Sequence, residues 1–172
     1  FAQMQGAVRW DVPLTLLGYR AYAAMADRKP DEAIALGQKA LAMSEARRGD
    51  TYNLGFIWGT LGLAYRDGGR SDEALVAAEH SIRIMEKPGN NPEGRRFWVG
   101  HNYLTIGTVL RAQKKYAEAR VTMEKGLARQ RQLYGDSPTS ALILLNLGQN
   151  ARAAGDLPAA LAYYREAAEI QV

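Results

Sequence analysis

Few side chains in this sequence could do chemistry. The chain has two histidines, His80 and His101, and neither has a second histidine or a carboxylate at a metal-ligand spacing. It has no cysteine, which excludes a thiolate metal site and a cysteine nucleophile. It also has no glycine-rich phosphate loop and no G-x-S-x-G motif. We therefore expect a protein that is not an enzyme and that needs no metal and no cofactor.

Three arginines recur at regular intervals. Arg66, Arg111 and Arg152 follow one another at distances of 45 and 41 residues. A planar guanidinium can donate two parallel hydrogen bonds to a carboxylate, so arginines repeated in this way could bind an acidic partner. Alternatively, each arginine stabilises the end of its own helix through the helix dipole. The spacing leaves both interpretations open.

An internal repeat must position these residues. Its clearest copy has Trp58, Leu61, Gly62 and Tyr65, followed by Ala74. The alanine recurs at intervals of 41, 45 and 41 residues, at Ala33, Ala74, Ala119 and Ala160. A large aliphatic residue followed by glycine is typical of a crossing where two helix backbones approach closely. The repeat predicts four helix pairs.

The spacing resembles the tetratricopeptide repeat (TPR), and the period of about 42 residues resembles the extended repeat of kinesin light chains. The second resemblance depends on the segment 133–147, although Leu145 stands where that family often has an asparagine. The resemblance implies an all-α fold, a right-handed α-α superhelix (TPR solenoid) of four helix-turn-helix repeats. It also implies that the first helices line a concave groove that binds a protein or peptide.

Proline and glycine residues divide the chain into its expected repeats. The helix pairs are expected at 14–47, 51–87, 92–134 and 138–171, within a single array over 1–172. Residues 1–13 are expected to be the end of a preceding helix or a linker, because Phe1, Met4 and Val8 share one helical face. Since the chain begins with Phe1, we expect a recognition fragment of a larger bacterial protein.

The resemblance implies which first-helix positions face a bound peptide. The second, fifth, ninth and twelfth positions of the fourth repeat hold Leu142, Leu145, Gln149 and Arg152. The groove residues that we expect to bind the partner are Tyr22, Phe56, Leu63, Arg66, His101, Leu104, Thr108, Arg111, Gln149 and Arg152. The lysine and asparagine clamp of chaperone-binding members is missing. We expect the arginines and the neighbouring apolar side chains to favour an acidic, partly apolar segment.

Charge and hydropathy limit the other classes of function. The net charge is +4 and the pI is about 9.4, without a block of like charges, so nucleic acid is not favoured as a partner. No apolar run is long enough to span a bilayer, and we expect a soluble protein. The cytoplasm is favoured, and the periplasm stays open. Two other functions remain as alternatives: a self-association module that forms a homo-oligomer through exposed solenoid ends, and a regulatory domain that senses a peptide.

Overall fold

Helices account for all the regular secondary structure in the residues that the structure, a computed structural model, describes. These residues are 2–45, 51–87 and 92–170, with side chains described for 13–44, 53–87 and 97–170. The helices are α1 (Ala2–Ala26), α2 (Pro30–Glu45), α3 (Thr51–Asp67), α4 (Ser71–Met85), α5 (Pro92–Ala112), α6 (Tyr116–Tyr134), α7 (Pro138–Ala153) and α8 (Leu157–Glu169). The all-α helical repeat fold and its four helix pairs are thus confirmed.

Local sequence explains where the helices of the last pair begin. Pro138 is the first residue of α7, where its missing N–H costs no helical hydrogen bond. The hydroxyl of Ser137 caps the same helix by accepting a hydrogen bond from the backbone N–H of Ser140 at 3.2 Å. Asp156 caps α8 in the same way, and its carboxylate accepts from the N–H of Ala159 at 3.1 Å.

The turn inside each helix pair contains one residue with a positive φ. Gly69 and Gly155, in predicted turns, have φ values of 74° and 85°. Arg28 and Lys114 occupy the equivalent positions of the first and third pairs, with φ values of 58° and 61°. This backbone conformation favours glycine, so the two charged residues adopt it at an energetic cost.

Two compact units divide the chain, residues 1–90 and 91–172, and each is described by itself. In the first unit, α1 packs on α2, α2 on α3, α3 on α4, and α1 also on α3. The second unit repeats this order with α5 to α8, including a direct contact of α5 with α7. Within each unit, and among the described residues, the second helices have no Cα atoms within 8 Å of each other. The first helices therefore form the closely packed side of each unit.

Small residues allow the helices of a pair to cross closely, as the repeat predicts. A Cβ atom on Gly107 would lie 2.5 Å from Cγ of Met123, and one on Gly148 would lie 2.4 Å from Cε1 of Tyr164. The recurring alanines 33, 74, 119 and 160 are all buried. The leucine before the second of these glycines, Leu147, lies in the core of the second unit with Ile143 and Leu144.

The first helix is longer than expected. It runs without interruption from Ala2 through Pro13 to Ala26, so residues 2–13 continue into the helix of the first pair. A proline removes one backbone hydrogen bond, and a helix can continue on both sides of it. Residues 46–47 and 171, which our expected ranges include, lie outside the described residues.

Polar side chains span the gap between the second helices of the second unit. The hydroxyl of Tyr163 on α8 donates a hydrogen bond to Oε1 of Glu124 on α6 at 2.7 Å. Nη1 of Arg131 on α6 donates to Oε1 of Glu166 on α8 at 2.8 Å. Burial and then the hydrogen bond to Glu124 raise the pKa of Tyr163 to about 12. Long polar pairs thus join α6 and α8 where their backbones stay apart.

Candidate functional site

The expected binding residues lie on the first helices, and hence on two separate surfaces. We define the first face as the exposed surface of α1 and α3, and the second face as the exposed surface of α5 and α7. Tyr22, Phe56, Leu63 and Arg66 belong to the helices of the first face. His101, Leu104, Thr108, Arg111, Gln149 and Arg152 belong to the helices of the second face. Each face is a candidate site of its own.

Aromatic side chains cover the middle of the first face. Phe56 is only 8% exposed, and its ring lies 5.1 Å from that of Tyr19 and 6.2 Å from that of Tyr22. Gly18 makes room for this packing, because a Cβ atom there would lie 2.8 Å from the Phe56 ring. Phe56 therefore supports the face from below, and the exposed tyrosine rings are what a partner would touch.

The charge on the first face is balanced internally. Arg66 lies in the last turn of α3, and its guanidinium binds the carboxylate of the adjacent Asp67, with Nη2 2.7 Å from Oδ1. Leu63, one turn earlier, is half-buried. The first face therefore offers aromatic and apolar surface, with its predicted arginine already paired.

Along α5, much of the second face is turned inward. Leu104 is buried in the core of the unit, and the hydroxyl of Thr108 donates a hydrogen bond to its carbonyl oxygen at 2.8 Å. The His101 ring stacks on Phe97 with the ring centroids 3.8 Å apart. Nδ1 of His101 lies 2.7 Å from the Phe97 carbonyl oxygen, so it carries the hydrogen of that bond. These contacts orient the ring within its own helix.

Arg111 has an unusual environment at the end of α5. Its side chain is half-buried, and Nη1 donates to the backbone oxygen of Asn146 at 3.1 Å and to its Oδ1 at 3.4 Å. Both acceptors are neutral, and no carboxylate pairs with Arg111 among the residues described. Burial lowers the pKa of the Arg111 guanidinium, because the charged form loses water. Arginine still stays protonated at neutral pH. The second face thus holds a partly desolvated cation without a counter-ion.

Exposed side chains of α7 surround this cation. Leu142 and Leu145 are 38% and 41% exposed, although both are large and apolar. Gln149 and Arg152 follow on the same side of the helix and are exposed. Neither of their side chains makes a hydrogen bond within the described part of the chain. The second face therefore combines open apolar surface, a free amide and two cations.

The three arginines occupy one repeat position but differ in their surroundings. Arg66 is paired, Arg111 is half-buried against neutral acceptors, and Arg152 is free in the last turn of α7. Arg66 also belongs to the other unit, so Arg111 and Arg152 are the members brought to one face. The helix-dipole interpretation accounts for the location of all three, and it does not account for the burial of Arg111.

Two contributors to these faces were not among our predicted residues. Tyr19 forms part of the first face, and the weak register of the first repeat gave no signal for it. Asn146 holds Arg111 from the neighbouring helix pair. Its position, 35 residues further along the chain, could have been suspected because it lies one turn after Leu142 on a predicted groove helix.

Metal binding and membrane insertion find no candidate in the described residues. These residues contain no group of three or more histidine, cysteine, aspartate or glutamate side chains placed to hold a metal ion. Among the described helices, none combines the length and the apolar character that a bilayer span requires.

Comparison with known proteins identifies relatives of the fold. The family model for the tetratricopeptide repeat matches residues 12–87 and 100–171. The chain is similar to BtubC (BKLC) from P. vanneervenii, with a TM-score of 0.76 and 20% identity, over 94% of this chain and 64% of that one. It thus spans less than two thirds of the length of BtubC. No curated protein sequence matches the chain.

Two further crystal structures are similar, both of nearly identical TPR-like repeats from Podosopora anserina that are assigned to a putative kinesin light chain. One of them carries a point substitution and has a TM-score of 0.66 and 21% identity, and the other has a TM-score of 0.64 and 20% identity. Each comparison covers 92% of this chain and 74% of the other. At this level of identity the likeness is one of fold.

Proposed function

This chain belongs to the tetratricopeptide repeat family, and we propose that it is a non-catalytic scaffold whose second face binds an acidic segment of a partner protein. Repeats of this family commonly mediate protein–protein interaction through surfaces built from stacked helix pairs. In the described residues, the first helices of each unit pack together and the second helices do not. A continuous surface of first helices is therefore available in each unit.

The half-buried guanidinium of Arg111 is the observation that carries the proposal. A charge that is taken out of water without a counter-ion is costly, and hydrogen bonds to neutral acceptors offset only part of that cost. A carboxylate from a partner would supply the missing counter-ion. A guanidinium has five N–H donors, and two of its nitrogens are used here by Asn146. Arg111 therefore keeps donors for a ligand.

Arg152 and the exposed leucines support the same partner. Arg152 adds a second, unpaired cation to this face, which would attract an acidic segment over several ångströms of solvent. Leu142 and Leu145 offer apolar surface that a purely electrostatic partner would not need. An acidic segment with some apolar side chains fits both features.

Peptide binding can be tested by fluorescence anisotropy at low salt. The probes are a pool of 12-residue peptides of random order made from Glu, Leu and Ser, and a matched pool with Gln in place of Glu. We expect the acidic pool to bind about tenfold more tightly, the increment of a charged hydrogen bond. Arg111→Gln should remove this preference.

Arg165→Gln provides the matched control, since Arg165 is an exposed cation on α8, away from the second face. It removes the same charge from the same unit, and it should leave the preference unchanged. If neither pool binds, or if both variants weaken binding equally, the proposed role of the second face is wrong.

A second candidate function is self-association, which the surface of α8 favours. Leu157 and Leu161 are 64% and 49% exposed on this helix, one turn apart. A second copy of the chain could cover them through a repeating, head-to-tail contact. Light scattering over a range of concentrations would show a rising mass that the double variant Leu157→Lys, Leu161→Lys abolishes. A constant monomer mass would rule this candidate out.

A further inference from the structure

The second face has one open apolar area, and it lies at a definite height along α7. Leu142 and Leu145 are three residues apart, so their side chains lie side by side on one surface of the helix. The equivalent positions of α5 hold His101, which is half-buried, and Leu104, which is buried. An apolar side chain of a ligand therefore has its open contact surface on α7.

The unpaired guanidinium lies one helical turn from this apolar area. Arg111 reaches across to Asn146, which directly follows Leu145 in the chain. Nδ2 of Asn146 in turn donates to the carbonyl oxygen of Leu142 at 3.0 Å, four residues earlier. Four residues of an α-helix rise about 6 Å. The carboxylate of a ligand would thus bind about 6 Å from the place where its apolar side chain is in contact.

Only certain spacings of two side chains fit this distance. In an extended segment, adjacent side chains point to opposite sides, and side chains two residues apart share one side at about 6.6 Å. Side chains four residues apart in such a segment are about 13 Å from each other. A helical segment would instead bring residues four apart to about 6 Å.

Gln149 favours an extended ligand over a helical one. Its exposed amide lies one turn beyond Leu145 on the same surface and makes no hydrogen bond within the part of the chain that the structure describes. A primary amide both donates and accepts, which suits the unpaired backbone N–H and C=O groups of an extended segment. A helical segment uses these groups internally.

We infer that the second face recognises an extended segment in which an acidic and a large apolar residue are separated by one residue. The acidic side chain binds Arg111, the apolar side chain contacts Leu142 and Leu145, and Gln149 binds the backbone. This inference rests on the proposed function, and it adds to it the spacing and the conformation of the ligand.

The test uses nine-residue peptides of Gly and Ser that carry one Glu and one Leu. The Leu lies one, two or four residues from the Glu, in both orders along the chain, and binding is measured by fluorescence anisotropy. We expect a spacing of two, in at least one order, to bind about tenfold more tightly than spacings of one and four. Arg111→Gln should abolish this difference, and Arg165→Gln should preserve it.

Gln149→Ala separates the two conformations of the ligand. It should weaken the peptide of spacing two several-fold, because the backbone contact is lost. A peptide of spacing four that binds most tightly would show that the ligand is helical, and it would overturn the inference. Equal binding at all spacings would also overturn it, while tight binding of the acidic pool would leave the proposed function in place.

Discussion

The contact of Gly148 with Tyr164 provides the most direct test of how the helix pairs pack. A Cβ atom on Gly148 would lie 2.4, 2.6 and 2.8 Å from three atoms of the Tyr164 ring. A ring cannot bend, so Gly148→Ala must displace the whole side chain from the surface of α7. Overpacking of this kind costs about 1–3 kcal/mol, and the close approach of three ring atoms places it at the upper end.

Helix propensity acts in the opposite direction. Alanine inside a helix is more stable than glycine by about 1 kcal/mol. The net effect of Gly148→Ala on the free energy of unfolding should therefore be a loss of about 1–2 kcal/mol. In a chain that already carries Tyr164→Ala, the ring is absent, and the same substitution should increase the free energy of unfolding by about 1 kcal/mol. The sign of the effect thus depends on Tyr164.

Urea unfolding, followed by circular dichroism of the helices, measures all four chains of this double-mutant cycle. A coupling of about 2–3 kcal/mol between the two sites is expected, within the range seen for residues in direct contact. The slope of the free energy with urea should stay the same across the cycle, which shows that the same structure unfolds. If Gly148→Ala stabilises both backgrounds equally, glycine is not required at this crossing and the packing argument fails.

Three further predictions concern a turn, a buried amide and a tyrosine. Lys114→Gly should raise the free energy of unfolding by about 0.5 kcal/mol, because relief of the positive φ exceeds the added freedom of the unfolded chain; a lower urea midpoint would contradict this. Asn150→Ala should cost about 1–3 kcal/mol in the same assay, since the buried Nδ2 donates to the carbonyl oxygen of Tyr116 at 2.9 Å; an unchanged midpoint would show that this bond contributes nothing. Tyr163 titrates with a pKa of about 12, above the ordinary value of about 10, so the stability that it contributes is complete below pH 10 and is lost as the pH rises to 12. The difference in ultraviolet absorbance between the wild type and Tyr163→Phe should show this pKa, and Glu124→Gln should lower it; an ordinary pKa in the wild type would refute the assignment.

The sequence was sufficient to predict the four helix pairs, because their determinants are local and repeated. Gly107 and Gly148 stand where neighbouring side chains leave no room for a Cβ atom, and a spacing of 41 residues makes them visible without coordinates. The turns at Gly69 and Gly155 were predicted for the same reason. The left-handed conformation of Arg28 and Lys114 was not, since neither residue type indicates it. Only their equivalence to the two glycines along the repeat could have done so.

The surroundings of the binding residues were less predictable than their positions. Arg66 and Arg111 share a repeat position, but Asp67 follows one of them and Asn146 reaches the other from a different helix pair. Phe56 was expected at the surface. The rings that cover it come from α1, whose repeat register is the weakest of the four. A repeat pattern fixes which face of a helix a residue occupies, whereas burial depends on the size of the neighbours.

The polar pairs between α6 and α8 give the second unit two sides with different mechanical properties. On the side of α5 and α7, the backbones are in contact and the packing is set by the shape of apolar side chains. On the other side, the separation is set by hydrogen bonds between side chains that solvent reaches, such as Arg131 with Glu166. Such pairs weaken as ionic strength rises, whereas apolar contacts do not. The unit is therefore stiff along one side and compliant along the other, and salt concentration changes its bending stiffness without loosening its core.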